Sequence, residues 1–376
     1  MPQLRYFTAG ESHGQCLIGI IEGLPAGLKI DRAAINRDLA RRQQGYGRGG
    51  RMKLEADEAE VLSGVRRDET IGSPVTVMVK NRDFKINELP AVTKPRPGHA
   101  DLAGVIKYDR QDARDILERS SARETTVRVA IGGVCKLLLA EVGIDIVCHI
   151  VSLGTVQAKT DGLTFAQIRE RSEASEVRCA DPEAEKRMIE AIDAAKGQGD
   201  TLGGVFEVVA IGVPIGLGSH VQWDRKLDGN LARALMSIQA MKGVEVGLGF
   251  EAARRFGSQV HDEILPAQDG LLTRAGNNAG GLEGGMTNGQ PVVVRVAMKP
   301  LSTLMKPMRS VDIQTGQAVK ATVERSDVCA TPAAAVIGEA VVAFELAKAL
   351  LDKFGGDSVR ELKRNVESYR AACKRW

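Results

Sequence analysis

The chain has 376 residues, 43% of them hydrophobic and 26% charged, and a formal net charge of +3. That is the composition of a soluble globular protein with a substantial core. No apolar run reaches the roughly 18 residues of a membrane helix, and aromatics at 4% argue against stacking platforms for single-stranded nucleic acid.

The first residues, MPQLRYF, carry neither the apolar core of a signal peptide nor a basic transit sequence, so a cytoplasmic location is expected. Six cysteines (16, 135, 148, 179, 329 and 373) are scattered without CxxC or metal-like spacing. They read as reduced thiols, and no metal is expected.

TAGESHGQ (8–15) places His13 between two glycines, either finishing a turn or held open for chemistry. LIGIIEG (17–23) has the length and branched residues of a strand. Asp31 ahead of Ile35 and Leu39 predicts a capped helix running into DLARRQQGYGRGGRMK, which becomes a loop after Gly45. From Arg37 to Lys53 six cations face Asp38 alone. Glycine spacing lets Arg48 and Arg51 converge, and guanidinium forks match phosphate or carboxylate oxygens. A solvated basic face explains the same residues.

PVTVMV (74–79) is a second strand. In KPRPGHADLAG (94–104) prolines stiffen the approach to His99, and Asp101 is near enough to fix its tautomer. A local turn is the alternative. RSSARET (119–125) is read as opening a helix that continues through Val127, Ile131 and Val134, with serines and backbone N–H groups suited to an anion. His149 in DIVCHIV is read as structural, and His220 and His261 have no special setting. Residues 155–202 read as an inserted helical excursion in which Asp181-Pro182 starts a helix, and 196–204 as a mobile glycine-rich loop. EVVAIGV (207–213) and PVVVRV (291–296) are further strands, and Thr331-Pro332 starts another helix. Just before it, ERSDVCATP (324–332) offers Asp327 as a proton acceptor, an orienting group or a plain helix cap.

The chain also matches itself. GLPAGL (23–28) pairs with GVPIGL (212–217), and TIGSPVTVMV (70–79) with TNGQPVVVRV (287–296). Arg119-Ser120, Thr125 and Ile131-Gly132 pair with Arg325-Ser326, Thr331 and Ile337-Gly338 at constant offset. Two related halves, roughly 1–150 and 200–350, are expected within a single domain of 1–376. The strand pattern leaves parallel and antiparallel pairing open.

In this order, GESHG, GYGRGGR, RPGHAD, RSSARET, SIQAMKGVEVG, NNAGGLEGG, KPLST and RSDVCA resemble the chorismate synthase family over nearly the whole chain. The resemblance implies an α/β sandwich with a helical core between antiparallel sheets, and a homotetramer. It implies a lyase of the shikimate pathway that eliminates phosphate from 5-enolpyruvylshikimate 3-phosphate, giving chorismate with reduced FMN and no net redox change. His13 would protonate the departing phosphate, His99 would sit near the reduced flavin, and Asp327 would handle a proton beside it. Arg42, Arg48, Arg51, Arg96 and Arg123 would take substrate or NADP phosphate. Arg119, Ser120, Ser121, Gln239, Ala240, Gly284, Lys299, Pro300, Leu301, Ser302, Thr303 and Arg325 would take FMN. NADPH would enter only through an external flavin reductase, with no nucleic-acid or membrane partner. The alternatives are an NADPH-dependent flavin reductase and a basic nucleic-acid-binding module. Ala9, Ser326 and Leu301 depart from the commoner family pattern.

Overall fold

The computed structural model describes residues 4–49, 56–266, 272–324 and 326–374. The strands of its two main sheets are β1 (Arg5–Ala9), β2 (Cys16–Glu22), β3 (Glu60–Ser63), β4 (Val75–Lys80), β5 (Asp145–Leu153), β6 (Val156–Gln157), β7 (Gly204–Ile211), β8 (Met241–Val246) and β9 (Val292–Met298). The first sheet has the order β1-β2-β4-β3 and the second β8-β9-β7-β5-β6, and every neighbouring pair is antiparallel. Strict alternation fixes the inner faces: Val75, Val77 and Val79 on β4, and Val292, Val294 and Val296 on β9, are buried.

The helices of seven or more residues are α1 (Arg32–Gln43), α2 (Asp101–Tyr108), α3 (Arg114–Ser120), α4 (Thr125–Ala140), α5 (Phe165–Ala174), α6 (Pro182–Gly197), α7 (Leu227–Met236), α8 (Thr331–Phe354) and α9 (Val359–Cys373), with α5 and α6 in the 155–202 segment. Helix α4 lies against the first sheet, α8 against the second, and the two pack on each other. Two glycines permit this spacing. A Cβ on Gly132 would stand 2.3 Å from that of Ala340, and one on Gly338 2.4 Å from the Phe206 ring. Side chains of both sheets and of α4 and α8 join in one hydrophobic core. Although α8 is buried along most of its length, no helix among the described residues is long and apolar enough to cross a membrane.

The caps follow the sequence in part. Asp31 accepts from Ala34 N–H at 3.1 Å, and Asp181 accepts from Glu183 and Ala184. The 119–125 segment differs from the expected helix start. Arg119 and Ser120 end α3, and Ser121 caps a short 3₁₀ turn, Ala122–Glu124, that leads into α4. Ser120 and Arg119 therefore lie at the negative pole of one helix rather than the positive pole of the next.

Candidate active site

The starts of α4 and α8, the end of α1, and the loops at 96–100, 239–240, 299–303 and 324–327 enclose a cavity of about 560 Å³. Leu117, Ile238, Met298, Leu301 and Ile337 give it an apolar floor. Arg42, Arg48, Arg96, Arg123 and Lys299 bring cations to it, against Glu324 and Asp327 among the described residues. An apolar floor with convergent charges suits a planar ring that carries, or lies beside, several anionic groups.

Arg42 is held by protein atoms that leave one of its donors without a hydrogen bond. Arg42, buried, donates through Nε to Thr125 Oγ1 (3.1 Å) and through Nη2 to Ala122 O (2.9 Å). Its Nη1 has no hydrogen-bond partner and stands 3.6 Å from Asp57 Oδ2. Asp57 also takes Arg123 Nη1 at 2.6 Å, so one buried carboxylate serves two guanidinium groups. Burial depresses the Arg42 pKa; Asp57 opposes this, while Arg48 and Arg123 add to it. An anion in the cavity would relieve that cost.

Asp327 accepts from Gly49 N–H at 2.6 Å and pairs with Arg48 Nη1 at 3.0 Å. Helix α8 has Ala330 at its cap position, so Asp327 is not a cap. Arg96 donates to Asp101 through Nε (2.9 Å) and Nη2 (3.1 Å), and to Thr303 Oγ1 through Nη1 (2.9 Å). His99 Nδ1 lies 2.5 Å from Asp101 Oδ1. Burial pushes the Asp101 carboxyl up, but the hydrogen bonds from His99 and Arg96 outweigh it and hold the carboxyl well below the usual range. An ionised carboxylate only accepts, so Nδ1 carries the proton in this contact.

The opposite wall offers acceptors. Gln239 Oε1 is buried without a hydrogen-bond partner, and Ala240 beside it holds φ at 69°, a left-handed conformation strained for a residue with a Cβ. Lys299 Nζ donates to Gly98 O at 2.8 Å, and burial, followed by Lys242, lowers its pKa. Arg42 and Gln239, each with a buried polar atom that has no hydrogen-bond partner, both line this cavity. That is a fit for a flavin phosphate and ring together with an anionic substrate.

The cavity thus gathers His99, Asp327, Arg42, Arg48, Arg96, Arg123, Ser120, Ser121, Gln239, Ala240, Lys299, Leu301, Ser302 and Thr303. His13, Arg119, Gly284 and Pro300 are not among its lining residues, and Arg51 and Arg325 lie outside the described residues. His13 follows Ser12, whose Oγ meets Ser121 Oγ of the lining at 3.3 Å. Arg119 donates to Thr8 O (2.9 Å) and Gly10 O (2.8 Å), tying down the loop that carries His13. Gly284 is exposed in a hairpin with φ of 59°. Asp57 and Glu118 escaped sequence reasoning. Asp57 sits in the acidic run EADEAE, which resembles a solvated surface, and Glu118 only precedes RSSARET in the chain.

The chorismate synthase family model matches residues 4–351 of the chain. Chorismate synthase of Geobacter sulfurreducens is 60% identical over 97% of this chain and 98% of its own length. That of Trichlorobacter lovleyi is 59% identical over 99% and 100%. A solved structure described as a crystal structure of chorismate synthase aligns over 100% of both chains at 46% identity, with a TM-score of 0.84.

Proposed function

The chain belongs to the chorismate synthase family, and from that premise we propose how its own residues share the reaction. The activity is that of a lyase of the shikimate pathway: 1,4-elimination of phosphate from 5-enolpyruvylshikimate 3-phosphate to give chorismate, with a reduced flavin required and no net redox change. The single observation that carries the site reading is a cavity lined by five cations against two carboxylates among the described residues, with buried polar atoms of Arg42 and Gln239 lacking hydrogen-bond partners.

The flavin is FMN in this reading. Ser120, Ser121, Gln239, Ala240, Lys299, Leu301, Ser302 and Thr303 would hold it, with Arg119, Gly284, Pro300 and Arg325 contributing from outside the cavity lining. When bound, reduced FMN supplies electron density to the allylic system. Arg42, Arg48, Arg96 and Arg123, with Arg51, bind the carboxylates and phosphate of the substrate through paired N–H donors. His13 gives a proton to the departing phosphate oxygen, a contribution of about 10²–10⁴ in rate for a placed acid. His99, oriented by Asp101, steadies negative charge at the flavin. Asp327, held in place by Arg48 and Gly49 N–H, keeps or moves a proton beside it.

NADPH acts only through an external flavin reductase, and four chains of 40.3 kDa assemble. The halves 1–150 and 200–350 derive from a duplication, with 155–202 inserted. The related starts of α4 and α8, both at the cavity, support that origin. Anaerobic mixing with photoreduced FMN and substrate should release chorismate and phosphate in equal amounts. Phosphate without chorismate would overturn the reading, and chorismate formed aerobically from NADPH and FMN alone would remove the external reductase.

A further inference from the structure

We propose that Glu118 is a positioning residue for the elimination, clamping the backbone and ring of His13 so that Nε2 is held as the nitrogen that serves the leaving phosphate. The inference rests on the reading of His13 as the acid.

Glu118 is 3% exposed, yet its carboxylate turns away from the cavity and closes on one residue more than a hundred positions distant. Oε2 accepts His13 N–H at 2.9 Å, and ring Nδ1 stands 2.9 Å from Oε1 and 3.0 Å from Oε2. The main chain repeats the grip: Glu118 O accepts Ser12 N–H at 2.9 Å, and His13 O accepts from Lys85 and Ile86 N–H at 3.1 Å. The histidine is thereby fixed at its nitrogen, its carbonyl and its ring. A histidine that only finished a turn would not engage a buried carboxylate in this way.

The charges around the ring define what the clamp does. Helix α3 presents Glu118 and Arg114, the latter 3.4 Å from Glu118 Oε1. The loop after β4 presents Asp83, 3.7 Å from His13 Nε2, with Lys85 on Asp83 at 2.7 Å. Glu11 lies on the histidine's own loop. Burial pushes the Glu118 carboxyl up, but its hydrogen bonds from His13, with Arg114 behind them, outweigh this and hold it below the ordinary range. An ionised Glu118 accepts from Nδ1–H, which leaves Nε2–H as the proton to give. In the step itself the C–O bond breaks, its electron pair leaves with phosphate, and the Nε2 proton goes to a phosphate oxygen. Glu118 receives no proton, and the neutral imidazole regains its own from solvent.

Glu118→Gln separates charge from shape, because the amide oxygen can still accept both N–H groups. With photoreduced FMN under anaerobic conditions, this variant should lose about 10- to 100-fold in kcat with KM little changed. Glu118→Asp should recover part of the loss. The double variant His13→Ala/Glu118→Gln should be no slower than His13→Ala alone, because groups acting as a unit are not additive. Flavin binding by each variant checks the fold, and should Glu118→Gln fail it, Glu118→Asp with and without His13→Ala carries the same test. Additive losses, or a loss carried by KM rather than kcat, would overturn the role of Glu118 while leaving His13 as the acid. Normal turnover of His13→Ala would instead overturn the reading of His13, and this inference with it.

Discussion

Arg41 and Arg42 are neighbours in the chain and occupy opposite kinds of site. Successive helix residues point about 100° apart, and here that turn separates a charge-matched network from a cavity whose lining cations outnumber its carboxylates. Arg41 reaches Asp38 at 2.7 Å, Glu339 at 2.9 Å and Glu173 at 2.5 Å, while Lys136 bonds Asp38 and Glu339, and Arg178 bonds Glu173. Three cations meet three carboxylates, and all the charge is internal. Arg42 lines the cavity, where among the described residues the cations outnumber the carboxylates, and one of its donors lacks a hydrogen-bond partner. A run of arginines therefore says little by itself; whether the carboxylates facing it match its charge separates structure from binding.

The largest expected effect lies on the cavity side. Asp327→Asn should bind reduced flavin, followed by absorbance titration, and lose turnover on the order of 10²–10⁴-fold. His99→Ala should likewise lower kcat more than it raises KM. Rates near those of the unaltered protein would end the assignment of chemistry to this wall. The neighbouring arginines give the next pair of tests. Arg41→Met leaves Glu339 buried with a lost partner, so denaturant melting should show a loss of about 3–5 kcal/mol, with KM unchanged. Arg42→Met should do the reverse. Substrate KM should rise roughly 10- to 100-fold, as for a lost charge-assisted bond of about 1.5–3 kcal/mol, while stability changes little because a buried, incompletely paired charge is also removed. If both variants lose the same property, the contrast between the two clusters is wrong.

The sequence made much of this legible where periodicity is simple. The strand segments at 17–23, 74–79, 207–213 and 291–296 coincide with β2, β4, β7 and β9 to within a few residues, since alternating or branched apolar residues have one way to face a core. Helix starts at Asp31 and Asp181 were readable because a cap is a local bond. The break at Ser121 was not, because Arg119 to Thr125 carries no proline or glycine and the change of helix is set by packing. Cavity residues on named motifs, such as His99 and Asp327, could be found in the chain. The partners that tune them were hidden: Asp57 meets Arg123 across 66 positions and Glu118 meets His13 across 105, and neither distance leaves a local pattern.

The smallest effect expected is on acid stability, and it isolates the closed network. Burial pushes the Glu339 carboxyl up, but Lys136 and Arg41 outweigh this and hold it well below its ordinary value of 4.5. On acidification the unfolded chain takes up this proton first, so the stability from Glu339 is full above about pH 4.5 and declines as pH falls toward the folded value. Glu339→Gln removes that one titration. Between about pH 5 and 3 its urea-derived stability should fall less steeply than that of the unaltered protein, by up to roughly 1.4 kcal/mol per pH unit. Asp101, Glu118, Glu124 and Glu173 are also held low by their partners, so acid sensitivity should diminish without vanishing. Equal slopes in both proteins would mean that Glu339 is not ionised in the fold, and the three-against-three balance around Arg41 would have to be redrawn.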